Sequence, residues 1–497
     1  MIKKIIYCSV FFMLIIGRNT PFAGAAQVNN SPDVKRYQLI KTKPKLTLDE
    51  CIEIAVKKHI PLQVAKKQLD LANFRLLEAV RKVGPTATLK FEGSKGVVVR
   101  RPYRSTKYQA EMKQPIFYGG ELWIAVTQAK KNVEIVKNDY NRIRNELVLQ
   151  VKKAYYSLDK AIKARRVQEE LEKDAGALYS AIKSGYEASV VPQVEYLEVS
   201  SQYNQAQFQV ISATEDVSIA NLILQQAMCI NDEIAIAEVP APKVIDLNLE
   251  ECFGLAYYNR PELIISRLSI EYFECDKKIM RARANWPRVD FIGSYGNMKE
   301  DFIRESLERL PLVVAGNTGG PRDPRNWGPE FYFGTTISLP IWGSTAGYSY
   351  TNEHWQPIVR TVHETSSETH MITLKLFDKL EDISSVKEAD IEYLRAHDEL
   401  RKKKQEVELE VRETFFKYKK AVLLMNVARS KVAFQSKQVE IFDIRREMGE
   451  TPVSDVIEEM IKLAEERFSL LQAIADYFIS VATLNKAIGI KDYFEIR

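Results

Sequence analysis

The sequence predicts a mainly α-helical chain with a smaller β part, built from two copies of one structural unit. Three observations predict this class. Similar motifs recur in the same order along the chain, at offsets that grow from 201 to 260 residues. Each copy contains segments in which apolar and polar residues alternate, which is typical of strands. Each copy also contains a long stretch with apolar residues three and four positions apart, which is typical of a coiled-coil helix.

Composition and charge exclude several classes of function. The 71 basic and 66 acidic residues nearly cancel, so the chain lacks the excess positive charge of a nucleic-acid binder, and we expect no nucleic-acid partner. The five cysteines are irregularly spaced and form neither a disulfide framework nor a zinc motif. Because the sequence also lacks a phosphate-binding loop, a GxSxG elbow and an HExxH motif, we expect no enzyme activity, no cofactor and no metal site.

The first residues predict export from the cytosol. Lys3 and Lys4 precede an apolar run at 5–16, and small residues follow it up to Ala26. This order is that of a secretory signal peptide, which we predict at 1–26. No later segment has about 18 consecutive apolar residues, so no transmembrane helix is predicted, and such a chain enters a membrane only as a barrel.

The duplication defines the domain organisation. Leu-Thr-Leu-Asp-Glu-Cys-Ile at 46–52 matches Leu-Asn-Leu-Glu-Glu-Cys-Phe at 247–253, and Val-Lys-Lys-Ala-Tyr-Tyr at 151–156 matches Val-Arg-Glu-Thr-Phe-Phe at 411–416. Because the offset grows, the second copy contains two insertions. The predicted organisation is a signal peptide at 1–26, an N-terminal extension at 27–45, a first repeat at 46–230, a linker at 231–246, a second repeat at 247–490 with insertions at about 301–328 and 345–385, and a C-terminal tail at 491–497.

Each repeat contains two predicted strands. In the first of them, Ala87, Leu89 and Phe91 alternate with Thr88 and Lys90. Alternating segments of about ten residues fit the strands of a transmembrane barrel, whose outer face is apolar. Half-buried strands of a soluble sheet alternate in the same way, so alternation by itself leaves both interpretations open. The predicted strands lie at about 86–99, 105–117, 288–299 and 329–342.

The helical part of each repeat is predicted to be a long hairpin. No proline occurs between Pro115 and Pro192, and about 65 helical residues rise about 100 Å. A globular core is not that wide, so the helices are expected to form an elongated bundle. The predicted hairpins lie at 120–230 and 386–490, with turns near 185–192 and 448–452.

These features together resemble the TolC-like outer membrane efflux proteins. The motifs that carry the resemblance are the duplicated Leu-Thr-Leu-Asp-Glu-Cys-Ile, the segment Gln-Pro-Ile-Phe-Tyr-Gly-Gly at 114–120, and the turns Tyr-Glu-Ala-Ser-Val-Val-Pro-Gln-Val-Glu at 186–195 and Met-Gly-Glu-Thr-Pro-Val-Ser-Asp at 448–455. The resemblance implies a homotrimer in which each chain gives four strands to one 12-stranded β-barrel in the outer membrane of a Gram-negative bacterium. The barrel continues as a long α-helical coiled-coil barrel through the periplasm, with the insertion at 345–385 around its equator.

The resemblance also implies a function. Such a trimer is embedded in outer-membrane lipid and is the passive export duct of a tripartite efflux or type I secretion system. Its helical tips meet a periplasmic adaptor protein, which couples it to an inner-membrane transporter. Two other interpretations stay open: a secreted periplasmic coiled-coil scaffold without channel activity, and a structural envelope trimer without export. Two strand pairs at matching points of the duplication favour the channel over the scaffold.

Four acidic residues near the turns are the candidate pore constriction. Glu195 and Glu198 lie three residues apart, as do Asp455 and Glu458, so each pair is on one helix face. By resemblance, the second pair falls where family members carry an acidic ring, and a ring of carboxylates favours cations. A solvated, charged face of a coiled coil is the alternative. Arg446 is expected either to latch neighbouring coils close to these acids or to form a surface salt bridge.

The hairpin turns are the candidate adaptor-binding surface, with ordinary loop chemistry as the alternative. Ser189 stands where the family usually has glycine, so we expect a turn there that is either less left-handed or less tightly packed. The predicted tip residues are Gly185, Ser189, Val190, Pro192, Gly449, Thr451 and Pro452.

The remaining candidate side chains are given structural roles. Cys51, Cys229, Cys252 and Cys275 are predicted to be small, buried helix residues, and a disulfide between Cys51 and Cys252 stays open. The histidines of the second insertion lack the spacing of a helical metal site, so we expect no metal there. Those histidines are His354, His363 and His370. Three aromatic residues are predicted to lie at the membrane interface or, alternatively, to pack in the bundle below the barrel: Phe117, Tyr118 and Trp342.

Overall fold

A computed structural model describes residues 45–98, 101–232, 234–244, 246–302, 328–355 and 365–490. The predicted signal peptide, nearly all of the N-terminal extension, most of the first insertion and the C-terminal tail lie outside the described residues. Within the described part of the chain, no helix is both long enough and apolar enough to cross a membrane.

Each repeat contributes a short pair of helices and a long pair. The first helix of each repeat begins at a side-chain cap, because Thr47 and Glu50 form a capping box and Asn248 caps the corresponding helix. The two longest helices have 67 and 68 residues, so each is about 100 Å long. The helices are α1 (Leu48–Lys58), α2 (Ile60–Val83), α3 (Glu121–Glu187), α4 (Gln193–Met228), α5 (Leu249–Asn259), α6 (Pro261–Asn285), α7 (Leu380–Glu447) and α8 (Val453–Ile488).

Helix α3 connects the two repeats. It packs against α1, α2 and α4 of its own repeat and against α6 and α8 of the second, whereas α7 packs against α5, α6 and α8 of its own repeat. Each repeat has its own hydrophobic cluster, and a third cluster lies near the hairpin turns. Cys51 belongs to the first cluster and Cys252 to the second, and both thiols are free. The disulfide that the sequence leaves open is therefore not formed. Cys275 is only half-buried, and Cys229 is exposed because it lies just after the end of α4, so the prediction of burial is wrong for these two cysteines.

The strands of the described residues are β1 (Lys45–Leu46), β2 (Thr86–Val98), β3 (Arg101–Phe117), β4 (Ala235–Ile236), β5 (Arg288–Phe302), β6 (Gly328–Ile341), β7 (Ser344–Trp355) and β8 (Thr365–Lys375). Six of these strands form an antiparallel sheet in the order β2-β3-β5-β6-β7-β8. A separate short pair, β1 and β4, runs parallel and joins the start of the first repeat to the linker.

The six-stranded sheet has one apolar face and one polar face, because successive side chains of a strand point to opposite sides. On the polar face, Lys107 pairs with Glu330 at 2.9 Å and Lys113 pairs with Asp290 at 2.8 Å. The exposed large apolar side chains on the other face are Leu89, Phe91, Tyr108, Met112, Tyr295, Phe331, Phe333, Ile337, Leu339, Tyr348, Ile372 and Leu374.

The structure adds two strands to the four that the sequence predicts, and these strands lie in residues predicted as an equatorial insertion at 345–385. The four predicted strands correspond to β2, β3, β5 and β6, but the inserted residues form two more strands that extend the same sheet from β6. The reason is a turn at Trp342 and Gly343, whose φ angles of 43° and 75° are both positive. Two left-handed residues make a tight hairpin turn, so the chain reverses into β7 instead of entering a helix.

Candidate functional site

The turn between α3 and α4 has the hydrogen bonds of a Schellman motif. The Ser189 N–H donates to the Tyr186 carbonyl oxygen at 2.9 Å, and the Val190 N–H donates to the Gly185 carbonyl oxygen at 2.9 Å. This motif needs a left-handed residue after the helix, and Ser189 has a φ of 59°. The expectation of a less left-handed turn at Ser189 is therefore wrong, because the two hydrogen bonds fix the backbone whatever the residue.

The turn between α7 and α8 has the same pattern. The Gly449 N–H donates to the Arg446 carbonyl oxygen and the Glu450 N–H to the Arg445 carbonyl oxygen, both at 2.9 Å. Gly449 has a φ of 77°, which glycine adopts without strain. Thr451 follows the turn and is half-buried. The two tips are thus equivalent in backbone and differ in the residue at the left-handed position.

The tip surface is partly apolar. Pro192 and Pro452 precede the returning helices as extended residues. A Cβ atom on Gly185 would lie 2.7 Å from Cγ2 of Val191, so glycine allows the turn to close on that side chain. Val190 is 79% exposed at the tip. An exposed valine on a fixed turn is a surface that another protein can cover.

A ladder of stacked tyrosines runs up the first hairpin, and the sequence analysis missed it. The Tyr186 and Tyr196 rings are 4.6 Å apart, Tyr196 and Tyr179 are 6.2 Å apart, and Tyr179 and Tyr203 are 4.9 Å apart. The hydrogen bond with Tyr179 raises the pKa of Tyr196. The seven-residue spacing of the tyrosines within each helix is the signal that predicts such a ladder.

The four predicted acids lie in the first turns of α4 and α8, but the two helices are staggered. Gln202 Nε2 donates to the Ser454 carbonyl oxygen at 3.2 Å. Ser454 is the second residue of α8, whereas Gln202 is the tenth residue of α4, so the first hairpin extends about 12 Å beyond the second. The acids of α4 therefore lie nearer the tip than those of α8. The acids are Glu195 and Glu198 on α4, and Asp455 and Glu458 on α8.

Basic residues partly neutralise this region within the chain. Lys462 Nζ lies 2.7 Å from Glu458 and 2.9 Å from Glu459, and these hydrogen bonds raise the pKa of Lys462. Arg446 pairs with Asp443 of the same helix at 2.7 Å. The described ion pair of Arg446 thus runs along α7 and does not bridge to another helix of this chain.

The predicted interface aromatics lie at the boundary between the sheet and the helices. The Tyr118 hydroxyl donates to Asp290 Oδ1 at 2.8 Å. Phe117 contacts the Trp286 ring edge to face, with ring centres 6.1 Å apart. Trp342 occupies the turn between β6 and β7 and is 81% exposed. Two of the three aromatics therefore pack at the junction, and the third faces solvent in the single chain.

Helix α7 carries exposed apolar side chains at heptad spacing. Some equivalent positions of α3, 260 residues earlier, are covered, whereas Asp174 and Ala181 nearer the tip are exposed. Leu149 is 5% exposed, whereas its equivalent Leu409 is 60% exposed. Tyr156 stacks on Phe478 of α8 at 4.9 Å, whereas its equivalent Phe416 is exposed. We define the α7 stripe as Leu409, Phe416, Leu423, Val427, Phe434 and Ile441.

Helices α2 and α4 also carry exposed apolar residues. They are the first-repeat equivalents of α6 and α8, the helices that cover α3. Their exposed side chains include Ile60, Val64, Leu71, Phe74, Leu77 and Val80 on α2, and Phe208, Ile211, Ile219, Leu222 and Ile223 on α4.

The predicted histidines are occupied by aromatic contacts. His370 Nδ1 lies 2.9 Å from the Tyr348 hydroxyl, and the His354 ring stacks on Phe331 at 4.7 Å. His363 lies outside the described residues. In the part of the chain that the structure describes, no three His, Cys, Asp or Glu side chains are grouped to hold a metal ion.

Residues 58–229 match the family model of the outer membrane efflux proteins. A search of curated proteins gave no match. The matched residues run from the end of α1 to the end of α4, so they include the first strand pair and the first long hairpin.

Solved outer-membrane structures share the fold over most of the chain. The Campylobacter jejuni CmeC outer membrane channel is 15% identical with a TM-score of 0.68, covering 94% of each chain. The Vibrio cholerae outer membrane protein VceC is 13% identical with a TM-score of 0.64, covering 89% of this chain and 96% of that one. The Neisseria gonorrhoeae MtrE outer membrane channel, in its open state, is 14% identical with a TM-score of 0.62, covering 89% of each chain.

Proposed function

We propose that this protein is the outer-membrane channel of an export system, because residues 58–229 match the family model of the outer membrane efflux proteins. The sheet carries the proposal. Its six strands form one wall with an exposed apolar face and a polar face that holds ion pairs. An apolar face of this extent is stable against lipid, and a polar face is stable against water. Helices about 100 Å long leave the wall from one end, as a duct through the periplasm requires.

The rival function, a periplasmic scaffold without a channel, would leave this apolar face in water. Phe91 is 73% exposed and Ile372 is 83% exposed in the single chain. The helical bundle does not cover them, since the helices leave the sheet at its end rather than along its face. Contact with the outer-membrane lipid removes that exposure. The channel therefore accounts for the face that the scaffold leaves unexplained.

The subunits are proposed to form a closed ring. Within one chain, α6 and α8 cover α3. The internal repeat makes α7 the equivalent of α3, so α2 and α4 of a neighbouring copy are expected to cover the α7 stripe. The resemblance to TolC-like proteins supports a ring of three copies. The homotrimer encloses a passive conduit whose energy comes from elsewhere.

The hairpin tips are the proposed partner surface. A periplasmic adaptor protein covers the exposed apolar turn around Val190 and the equivalent turn around Gly449, and an inner-membrane transporter acts through that adaptor. The carboxylates of α4 and α8 form the proposed constriction in two tiers, because the hairpins are staggered. Repeated by the ring symmetry, these carboxylates favour cations over anions.

Fractionation and mass measurement test this function. The chain is expressed with its own leader, membranes are separated by density, and the molar mass is measured in detergent. Detergent-dependent extraction from outer membranes with the mass of three chains is the expected result. A monomer or dimer free in the periplasm, or released by salt alone, would refute the channel and favour a scaffold.

A further inference from the structure

The second insertion has sharp boundaries in the structure. In the first repeat, β3 leads through Tyr118 directly into α3, whereas in the second repeat Ser344–Asp378 intervene between β6 and α7. This segment of 35 residues accounts for the growth of the repeat offset from 225 to 260. Its described residues form β7 and β8.

The base of this added strand pair is joined tightly to the rest of the chain. The Lys379 N–H donates to the Gly343 carbonyl oxygen at 3.0 Å, which brings the two ends of the insertion together. The Phe377 N–H donates to Ser344 Oγ at 3.1 Å, and the Thr345 hydroxyl donates to the Asp378 carboxylate at 3.0 Å. The strand pair is therefore an ordered part of the sheet, not an appended loop.

Near the helices, both faces of the sheet continue across the added strands. Farther from the helices, Asn352 and Glu368 lie in register with Phe333 on the apolar face and hydrogen-bond each other at 3.0 Å. On the apolar face, Ile337 of β6 lies opposite Tyr348 of β7, which lies opposite Ile372 of β8. On the polar face, Gly334 lies opposite Thr351, and Thr351 lies opposite Thr369. An element around the middle of the long helices would not need to continue the apolar and polar faces of the sheet. A membrane wall does, because each strand must present one apolar side to lipid.

The sheet has two unpaired edges in the single chain, β2 and β8. Unpaired edge groups are strongly unfavourable in lipid, so a membrane sheet must close on itself or on a neighbour. β2 runs away from the helices and β8 runs towards them, so the two edges of neighbouring copies are antiparallel when they meet. Because the insertion adds two strands, β8 runs towards the helices as β6 does, so the edge strand keeps its direction.

We infer that β8 of one copy pairs with β2 of the next, so that the ring closes a barrel of six strands per chain, 18 in a trimer, instead of four per chain. The inference rests on the proposed function. At the same strand spacing and tilt, the perimeter is half as large again as that of 12 strands, since barrel diameter grows with strand number.

The stagger of the strands fits this closure. A line of paired residues runs from Thr86 through Lys113, Ile292, Gly334 and Thr351 to Thr369, which is six residues before the end of β8. Six residues advance about 20 Å along a strand, and six strands span about 29 Å across the sheet. If the start of β2 in the next copy lies level with the end of β8, the strand tilt is about 35°, within the range of closed barrels.

The same stagger predicts which residues meet. If the start of β2 lies level with the end of β8, Ile372 of one copy faces Leu89 of the next, and both belong to the apolar face. Both side chains are largely exposed in the single chain. In a barrel of four strands per chain, Leu89 would instead lie beside Ile337 of β6, which β7 occupies here.

Cysteine cross-linking in outer membranes separates the two barrels. The first variant carries Leu89→Cys with Ile372→Cys, and the matched variant carries Leu89→Cys with Ile337→Cys. Positions two residues away on the same face, at His370 and Leu374, allow for a shift in register. The parent protein, oxidised in parallel, measures cross-linking by its own cysteines, and the single-cysteine variants show that each substitution permits assembly.

The expected result is a covalent trimer from the β2–β8 variant and none above the parent level from the β2–β6 variant. Cross-linking through β6 alone would overturn the inference and restore a barrel of four strands per chain. A protein that is trimeric by mass yet cross-links through neither pair would also overturn it, while leaving the proposed channel intact. A protein that is not trimeric in detergent would refute the proposed function itself.

Discussion

Removal of one leucine from the α7 stripe is predicted to weaken the ring without weakening the subunit. Leu409 is 60% exposed in the single chain, whereas its repeat equivalent Leu149 is 5% exposed. Burial of a whole leucine side chain contributes about 1.5–3 kcal/mol, so covering the exposed part of Leu409 contributes about 1.4 kcal/mol per copy. Three interfaces lose about 4 kcal/mol in Leu409→Ala, which lowers the association constant of the ring about a thousandfold.

The assay is the oligomer mass of purified protein over a dilution series in detergent. Leu394→Ala is the matched control: Leu394 is 66% exposed on the same helix, but its equivalent on α3, Glu134, is exposed as well, so no neighbour is expected to cover it. Dissociation of Leu409→Ala at concentrations where Leu394→Ala remains assembled is the predicted result. Equal behaviour of the two variants would refute the assignment of the α7 stripe to the interface between copies.

Three further predictions concern the tips and the core. Ser189→Gly is expected to stabilise the first hairpin by about 1 kcal/mol, because glycine adopts φ near 59° without strain, and slower amide exchange of the turn would show it. Asp455→Asn combined with Glu458→Gln is expected to lower the cation-to-anion permeability ratio, and an unchanged reversal potential in a salt gradient would contradict the acidic constriction. Glu410→Gln is expected to lower stability by about 2 kcal/mol at pH 7, measured by thermal unfolding, since it removes one of the two carboxylates, Glu410 and Glu262, that pair with the buried Arg260. Burial acts to raise the pKa of Glu410, but the hydrogen bonds and charges of Arg260 and Lys486 outweigh it and lower that pKa, so the stabilisation is present above the ordinary carboxyl range and disappears as the pH falls through the lowered pKa.

Much of the fold follows from local sequence. Thr47 and Glu50 predict a helix start because their side chains satisfy the first backbone donors, and the structure contains that capping box. The alternation at Leu89 and Phe91 predicts β2 because a strand places successive side chains on opposite faces. The spacing of apolar residues predicts the long helices, since a coiled-coil seam has that period.

The added strands were not predictable in the same way. Hairpin turns of two residues are recognised by asparagine, aspartate or glycine, which adopt positive φ easily. Here the turn begins with Trp342, at a φ of 43°, and the insertion ends beside Phe377, at a φ of 58°. Neither aromatic residue marks a left-handed position in a sequence, because the backbone there is held by the pairing of Ile341 with Ser344 and by the hydrogen bond from Phe377 N–H to Ser344.

The candidate site also contains some features that the local sequence predicts and others that it does not. Pro192 and Gly449 predict turns because of their own backbone preferences, and both lie at the tips. The register between the two hairpins depends on contacts such as Gln202 with Ser454, which are 252 residues apart in the chain. Long-range packing of this kind determines the two levels of acids, and no local pattern contains it.

The most direct test of the export duct is the electrical conductance of the purified oligomer in a planar lipid bilayer. Discrete, repeated current steps with a preference for cations are the result that this account predicts. Co-flotation of the oligomer with lipid vesicles checks that it inserts. Protein that floats with lipid, has the mass of three chains and passes no current, including after neutralisation of Asp455 and Glu458, would contradict the duct and leave a structural trimer in its place.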